Sequence, residues 1–334
     1  MADKAYYNAL IGFFLAVLAS FFFGVGSFVA GITAQHYADD STLAIASLDI
    51  SLAHFFSGTL VLFAVAVISN PRKMFFEQFT KLFFSRRIML AALFKGINGY
   101  IFCASVAFIN ASLSATIENL YVIWAGALAF FMTRKTPEST WVYSGIAALM
   151  GVFFIMNPVD LGHIDSVVGV SLALIASISF ALFLLFYRND ELDEQPMHIR
   201  ALNSAMFMLQ TAIVIYVIHL IVGRHIFGGN VIPFTTIDFA HLSLQFVNGI
   251  FNIGATFFLI AEALRAARKA GPYAIFLVGI GLSYAVFFTF VSEYVWESIT
   301  ITTFQMIGVA LFTVAIGIMQ ISEKQRSRRI RNTS

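Results

Sequence analysis

Four ionisable residues lie well inside long apolar stretches of the 334-residue chain: Asp49, His54, Lys95 and Glu118. A charged side chain in hydrocarbon costs about 3 kcal/mol even on lenient scales, so each is a functional hypothesis by default. At about 1.5 Å per helical residue, Lys95 lies about 10 Å deep from one side and Glu118 about 9 Å deep from the other. Facing one another, this ammonium and carboxylate could bind the two ends of a zwitterion. The alternatives are a structural Lys-Glu bridge, or a Lys95 side chain that reaches back to the membrane surface.

Helical spacing places polar and aromatic side chains on the same faces as these two charges. The candidate substrate-binding residues are Lys95, Asn98, Phe102, Glu118, Tyr121, Trp124, Asn248, Asn252, Tyr273, Phe276 and Tyr284. A cavity lined in this way would be aromatic-walled, with a few amides, and would suit a small organic solute with an amino group. The alternative is that the polar residues only hold helices together, each hydrogen bond contributing about 0.6 kcal/mol. For Trp124, lipid-facing packing is an equal alternative to a role as an aromatic lid.

Asp49 and His54 are separated by about 140° around a helix, so they do not share a face. We interpret Asp49 as lying near the membrane interface and His54 as a buried hydrogen-bonding residue. Glu118 and His54 are the candidates for proton coupling, because both side chains can exchange a proton within the membrane.

Ten apolar stretches must position these residues. They run approximately over residues 8–33, 43–68, 88–109, 113–132, 140–157, 166–187, 201–222, 241–263, 272–290 and 301–320. Each is close to the roughly 20 residues that a helix needs to cross a bilayer. Of the 20 lysines and arginines, all except Lys95 and Arg224 lie before the first stretch, after the last, or in every second gap. By the positive-inside rule this alternation predicts ten spans with both termini in the cytoplasm.

Composition supports an all-α integral membrane protein and argues against several other classes. Hydrophobic residues make up 59% of the chain and charged residues 11%, which no soluble core could absorb. The net charge of +2 reflects topology and gives no reason to expect a nucleic-acid partner. The single cysteine, Cys103, excludes an intrachain disulfide, and the first stretch predicts a retained helix.

Catalytic and metal-binding motifs are missing from the sequence. There is no His-Glu-x-x-His, no Gly-x-Ser-x-Gly and no nucleotide-binding loop, so we expect no enzymatic activity, no metal and no cofactor. A membrane enzyme and a channel are the disfavoured alternatives. A channel would need a ring of charges or carbonyls along a continuous path, whereas the charges here are isolated.

The chain contains an internal similarity. Six residues of the first stretch match six of the sixth at an offset of 157: Gly12, Leu15, Ala16, Ala19, Ser20 and Phe23 against Gly169, Leu172, Ala173, Ala176, Ser177 and Phe180. In the fifth and tenth stretches, Gly145, Ala148, Ile155 and Met156 correspond to Gly308, Leu311, Ile318 and Met319 at an offset of 163. Coincidence within an Ala-, Leu-, Ile- and Phe-rich alphabet is the alternative. A repeat of five spans would enter the bilayer in the opposite orientation in the second half.

Residues 114–156 and 271–319 carry a family resemblance. The first segment reads Ser-Ala-Thr-Ile-Glu-Asn-Leu-Tyr before Pro137 and Trp141, and the second Gly-Pro-Tyr-Ala-Ile-Phe before Glu297 and Gly308. In this pattern the chain resembles the drug/metabolite transporter superfamily, specifically its ten-helix EamA type. It departs from the family in lacking a proline within the fourth stretch and in a short loop before Gln305.

The resemblance implies two inverted five-helix repeats, residues 1–158 and 165–322, followed by a basic cytoplasmic tail at 323–334. Helices one, three, four, six, eight and nine would surround a central cavity. The expected function is secondary-active transport by alternating access in a cell inner membrane. Uniport, proton coupling and exchange are all open as transport modes. The expected partners are the lipid bilayer and a small solute, foremost an amino acid or an amino-acid-derived zwitterion or cation resembling S-adenosylmethionine. A broad-specificity drug or metabolite exporter is the alternative, and we expect a monomer, with a dimer as the alternative.

Overall fold

The structure is a computed structural model that describes residues 2–37, 43–69, 83–133, 139–155, 164–187, 195–227, 232–270, 272–297, 302–315 and 317–318. Within these ranges the chain is almost entirely helical and forms no strand. The helices are α1 (Ala2–His36), α2 (Leu43–Ser69), α3 (Arg86–Phe108), α4 (Ala111–Glu118), α5 (Tyr121–Thr133), α6 (Ser139–Ile155), α7 (Ile164–Tyr187), α8 (Met197–Phe227), α9 (Phe239–Gly249), α10 (Thr256–Ala270), α11 (Pro272–Glu297) and α12 (Thr303–Ala315). A π-helical segment, Ile250–Ala255, joins α9 to α10 without a turn.

Among the described residues, six helical segments are long and apolar enough to cross a membrane: Ala5–His36, Leu43–Ser69, Arg86–Phe108, Val167–Tyr187, Met197–Val222 and Phe239–Ala267. Large apolar side chains are exposed on their outer faces, for example Phe14, Phe56 and Ile213. In water such a surface would be unfavourable, whereas in hydrocarbon it needs no cover. The protein is therefore a multi-pass helical membrane protein. The basic tail predicted at 323–334 lies outside the described residues.

The fourth predicted span is not one continuous helix. The chain forms α4, turns at Asn119 and Leu120, and continues as α5. The prediction of an unbroken helix over 113–132 is wrong in this respect. Neither proline nor glycine lies at the turn, so contacts from other helices must compensate the interrupted backbone hydrogen bonds.

Small residues on α1 allow close helix packing. Ala16, Ser20 and Gly24 recur every four residues and face α11. A methyl group added at Gly24 would come within 2.5 Å of the Ala285 carbonyl oxygen, so only glycine fits there. Because lipid chains are as apolar as the side chains, close backbone approach of this kind is a main source of helix association in membranes.

Residues matched at offset 157 make matching contacts in the two halves of the chain. Ser20 Oγ on α1 donates to the Gly281 carbonyl on α11 at 2.8 Å, and Ser177 Oγ on α7 donates to the Glu118 carbonyl at 3.0 Å. Ala19 and Ala176, which immediately precede these two serines, also make similar contacts. Each uses its carbonyl to accept a hydrogen bond from a neighbouring helix, at 3.3 Å and 3.0 Å respectively.

The short helices α6 and α12 pack through a reciprocal glycine pair. A methyl group added at Gly151 would lie 2.8 Å from Phe312, and one added at Gly308 would lie 3.0 Å from Ile155 and 2.8 Å from the Gly151 carbonyl oxygen. The numbering differences are 308 − 151 = 157 and 312 − 155 = 157. The same contact is therefore made twice, with the roles of the two helices exchanged.

Candidate functional site

A buried chain of three polar side chains joins α3 to α4. Lys95 Nζ donates to Asn98 Oδ1 at 2.6 Å, and Asn98 Nδ2 donates to Glu118 Oε1 at 2.7 Å. Lys95 and Asn98 lie one turn apart on α3, and Glu118 is the last residue of α4. At most 4% of each residue is exposed, so the Lys95 side chain does not reach back to the surface. The two predicted charges are brought together, with the Asn98 amide between them.

The helix α7 completes this polar chain from a third direction. Asn98 Nδ2 also donates to the Ala176 carbonyl at 3.0 Å, and Ser177 Oγ donates to the Glu118 carbonyl at 3.0 Å. Because Glu118 is the last residue of α4, its carbonyl lies at a helix end, where carbonyl groups need partners from outside the helix. Ser177 supplies that partner, so the break in the helix and the polar chain stabilise each other.

Aromatic rings surround the Lys95 ammonium group. Nζ lies 4.4 Å from the ring centroid of Phe180, 5.9 Å from that of Phe183 and 6.0 Å from that of Phe55. Cation–π attraction at such distances contributes on the order of 1–2 kcal/mol when water is excluded. The predicted residue Tyr121 extends this wall, since its ring contacts Phe180 at 4.7 Å. The site can therefore stabilise a buried cation without a direct carboxylate contact.

Among the described residues, the predicted residues Phe102 and Trp124 form no hydrogen bond with the Lys95–Asn98–Glu118 chain. Phe102 is buried and packs with Ile50, Cys103 and Val106. Trp124 is partly buried, and its Nε1 has no hydrogen-bond partner within the described residues. A buried indole N–H without a partner is uncommon, so a polar group could bind there.

A second polar cluster surrounds His54 on α2. His54 Nε2 lies 2.6 Å from Gln245 Oε1 and 3.1 Å from Asn248 Nδ2. Gln245 Nε2 donates to Thr33 Oγ1 at 2.6 Å, and Asn248 Nδ2 donates to the Gly26 carbonyl at 2.9 Å. These contacts fix α9 to α1 and α2. Among the described residues, no hydrogen bond joins this cluster to Asn98. The predicted polar residues therefore form two separate groups, one around Asn98 and one around His54.

The predicted residue Asn252 lies within the π-helical segment. It is buried, and its Oδ1 has no hydrogen-bond partner among the described residues. The backbone of Tyr273, Phe276 and Tyr284 is part of α11, but the side chains of the first two lie outside the described residues. Tyr284 is partly buried and contacts the ring of Phe287 at 6.3 Å.

Asp49 is fully buried within the protein, and its position near the membrane interface stays a prediction. Asp49 Oδ1 lies 3.5 Å from His219 Nδ1 on α8 and accepts a hydrogen bond from the Phe234 backbone N–H at 2.9 Å. Phe234 has a positive φ of 66°, a rare conformation for a bulky residue. His219 and Gln245 were not among the predicted site residues. His219 could have been found as an ionisable residue within an apolar stretch, and Gln245 as an amide three residues before Asn248.

A charged cluster closes one end of the bundle. Glu262 on α10 accepts from Arg200 on α8 through one carboxylate oxygen and from Arg265 Nε at 2.8 Å through the other. The side chains of Arg200 and Glu262 are 10% and 12% exposed, so this pair is shielded more than an ordinary surface ion pair. It links α8 to α10.

Comparisons with known proteins identify a fold but no function. No protein-family model matches the chain, and no curated protein matches it. Sixteen chains of solved structures match. One of these, described only as the crystal structure of a protein, aligns with a TM-score of 0.55 and 14% identity over 94% of this chain and 98% of its own. At this identity the match shows that nearly the whole chain shares an experimentally observed fold.

Proposed function

We propose that this protein is a secondary-active transporter of a small organic metabolite and works by alternating access. The observation that supports this best is the buried Lys95–Asn98–Glu118 chain at the break between α4 and α5. Opposite charges deep in a membrane protein are expensive to retain, and they characteristically mark solute or ion pathways. Interrupted membrane helices likewise line the binding sites of many transporters.

The polar chain suits a zwitterionic solute. Asn98 offers Lys95 an oxygen and offers Glu118 an N–H. A carboxylate of the solute would present an oxygen to Lys95, and an amino group would present N–H donors to Glu118. An amino acid or an amino-acid-derived cation could therefore take over both hydrogen bonds of the amide, with Phe180 and Tyr121 contributing aromatic surface.

We further infer ten membrane spans arranged as two inverted repeats, as in EamA-type proteins of the drug/metabolite transporter superfamily. The matching contacts of Ser20 and Ser177 support this arrangement, because each serine joins its helix to a helix of the other repeat, α1 to α11 and α7 to α4. The reciprocal contact between Gly151 and Gly308 supports a pseudo-twofold axis between α6 and α12.

Charge places both termini in the cytoplasm in this proposal. Arg86, Arg200 and Arg265 stand at helix ends that the alternation assigns to the cytoplasmic side. Tyr37 at the end of α1 contacts Asp238 at the start of α9, as expected if both lie at the external side.

The decisive experiment is solute counterflow in proteoliposomes. A thermal-shift screen of the purified protein against amino acids and amino-acid-derived cations would select the solute, since a bound solute stabilises the folded state. We expect saturable uptake that accelerates when unlabelled solute is present inside the vesicles. A solute-independent current would indicate a channel, and chemical conversion of the solute would indicate an enzyme.

Glu118→Gln tests the assigned site within this assay. We expect counterflow to fall at least tenfold, because glutamine cannot provide a carboxylate to the amino group of the solute. The matched control is Glu293→Gln on α11, another buried carboxylate, which accepts from the Ser112 backbone at the start of α4. Counterflow by Glu118→Gln that equals the wild type in rate and pH dependence would refute the site.

A further inference from the structure

The end of α1 and the start of α9 bring two histidines and a carboxylate together, and none of the three belongs to the Lys95–Asn98–Glu118 chain. His36, Asp238 and His241 each offer one ligand atom, and these three atoms lie within 4.8 Å of one another. The rings of His36 and His241 are stacked with their centroids 4.8 Å apart. Imidazole and carboxylate are the donors that zinc and neighbouring first-row metals select in proteins.

Hydrogen bonds hold the carboxylate in place. Asp238 caps α9 by accepting from the His241 backbone N–H at 2.9 Å, and its other oxygen lies 2.5 Å from His241 Nδ1. Tyr37 Oη donates to the same oxygen at 3.0 Å and accepts from the Asp238 backbone N–H at 3.1 Å. The His241 backbone and ring, followed by Tyr37, hold the pKa of Asp238 below its usual range.

We propose that His36, Asp238 and His241 form a binding site for Zn²⁺ or a similar divalent transition metal, bridging α1 to α9. Donor atoms of a tetrahedral zinc ion lie about 3.3 Å apart, given metal–ligand distances near 2.0–2.1 Å. The most widely separated ligand atoms must therefore approach by up to about 1.5 Å, and the 2.5 Å contact between Asp238 and His241 must open where Nδ1 is the ligand atom. Side-chain rotation permits both movements because His36 and Asp238 are exposed. Water would occupy the fourth position. Tyr37 orients the carboxylate, a contact whose loss typically weakens metal binding by about 10–100-fold.

Metal binding is tested on the purified full-length chain by titration with Zn²⁺ and by the visible absorption of bound Co²⁺. We expect saturation at one ion per chain and an increase in melting temperature on adding Zn²⁺. His36→Ala and His241→Ala should each weaken binding at least tenfold, and Tyr37→Phe should weaken it by a similar factor. The control is His198→Ala, at the opposite end of α8 from the segment that contains Asp238.

Equal affinity for Zn²⁺ in the wild type and in both histidine variants would overturn the proposal. A wild-type protein that shows no visible absorption from bound Co²⁺ would also overturn it. Should an alanine variant unfold, His36→Gln keeps a side chain of similar polarity and removes the imidazole, and it must show the same loss. The metal-free melting temperature of each variant confirms that it is folded.

A consequence for transport rests on the proposed function. A metal that joins α1 to α9 would restrict the relative movement of the two halves at this end, so Zn²⁺ should inhibit counterflow in the wild type and not in His241→Ala. If the protein transports nothing, the binding measurements still decide the metal site. If it transports without binding metal, only the present inference fails.

Discussion

Replacing Asn98 with alanine tests whether the polar chain is a single cooperative unit. The amide makes three hydrogen bonds: with Lys95, with Glu118 and with the Ala176 carbonyl. Alanine removes all three and leaves an ammonium and a carboxylate buried with fewer partners. Such a change is far more disruptive than losing one polar contact, since removing a partner of a buried charge exposes its full desolvation penalty.

The magnitude follows from these contacts. Three hydrogen bonds at the membrane-protein average of about 0.6 kcal/mol each set a lower limit near 2 kcal/mol. Two bonds to charged groups at about 1.5–3 kcal/mol each, plus the carbonyl contact at about 1 kcal/mol, set an upper limit near 7 kcal/mol. We expect Asn98→Ala to lower the free energy of unfolding by about 3–4 kcal/mol, between these limits, because Lys95 retains its aromatic contacts.

Equilibrium unfolding in mixed detergent micelles measures this difference. The matched control is Asn119→Ala, because Asn119 Nδ2 donates to the Ala115 carbonyl at 2.7 Å, within its own helical segment. The control should lose only about 0.6 kcal/mol. If Asn98→Ala proves no more destabilising than Asn119→Ala, the amide does not stabilise the two charges and the reasoning fails.

Two further predictions concern the packing of α12 and the pH dependence of stability. Gly308→Leu should lower the free energy of unfolding by about 1–3 kcal/mol, because its Cβ would meet the Gly151 carbonyl, whereas the exposed control Ala310→Leu should be neutral in the same unfolding assay. The pKa of Asp238 is lower in the folded protein than the value of about 3.9 in the unfolded chain. Its ionised carboxylate therefore stabilises the fold at pH values above about 4, and this contribution declines as the pH falls further. Asp238→Asn should therefore flatten the decline of melting temperature between about pH 5 and pH 3, and an unchanged slope would contradict the assignment.

Membrane class and helix positions could be predicted because both depend on local properties. A run of about 20 apolar residues must be helical in hydrocarbon whatever surrounds it. The break after Glu118 could not be predicted, since no glycine or proline marks it and Ser177, which compensates it, is far away in sequence. The π-helical segment is likewise a product of packing between helices.

The charged residues of the candidate site could be predicted from the sequence, but their surroundings could not. Lys95 and Glu118 stand out because charges are rare in apolar stretches. The internal similarity matches Phe180 to Phe23, but nothing in the sequence indicates that this ring lies beside Lys95, so the aromatic surroundings of the ammonium required the three-dimensional arrangement. The fifth and tenth stretches were aligned at an offset of 163, but the contact between Gly151 and Gly308 follows the offset of 157 that relates α1 and α7.

The proposed repeat places different chemistry at equivalent positions of the two halves. At the offset of 157, Asn252 is the counterpart of Lys95, since 252 − 95 = 157. Lys95 is charged and lies beside the broken helix, whereas Asn252 is neutral and lies in a π-helical segment, a feature frequently associated with functional sites. Moving a buried charge through hydrocarbon is unfavourable, and repacking a neutral amide is far less so. Under the proposed function, we therefore expect the first half to hold the charged groups of the solute and the second half to supply most of the change in shape.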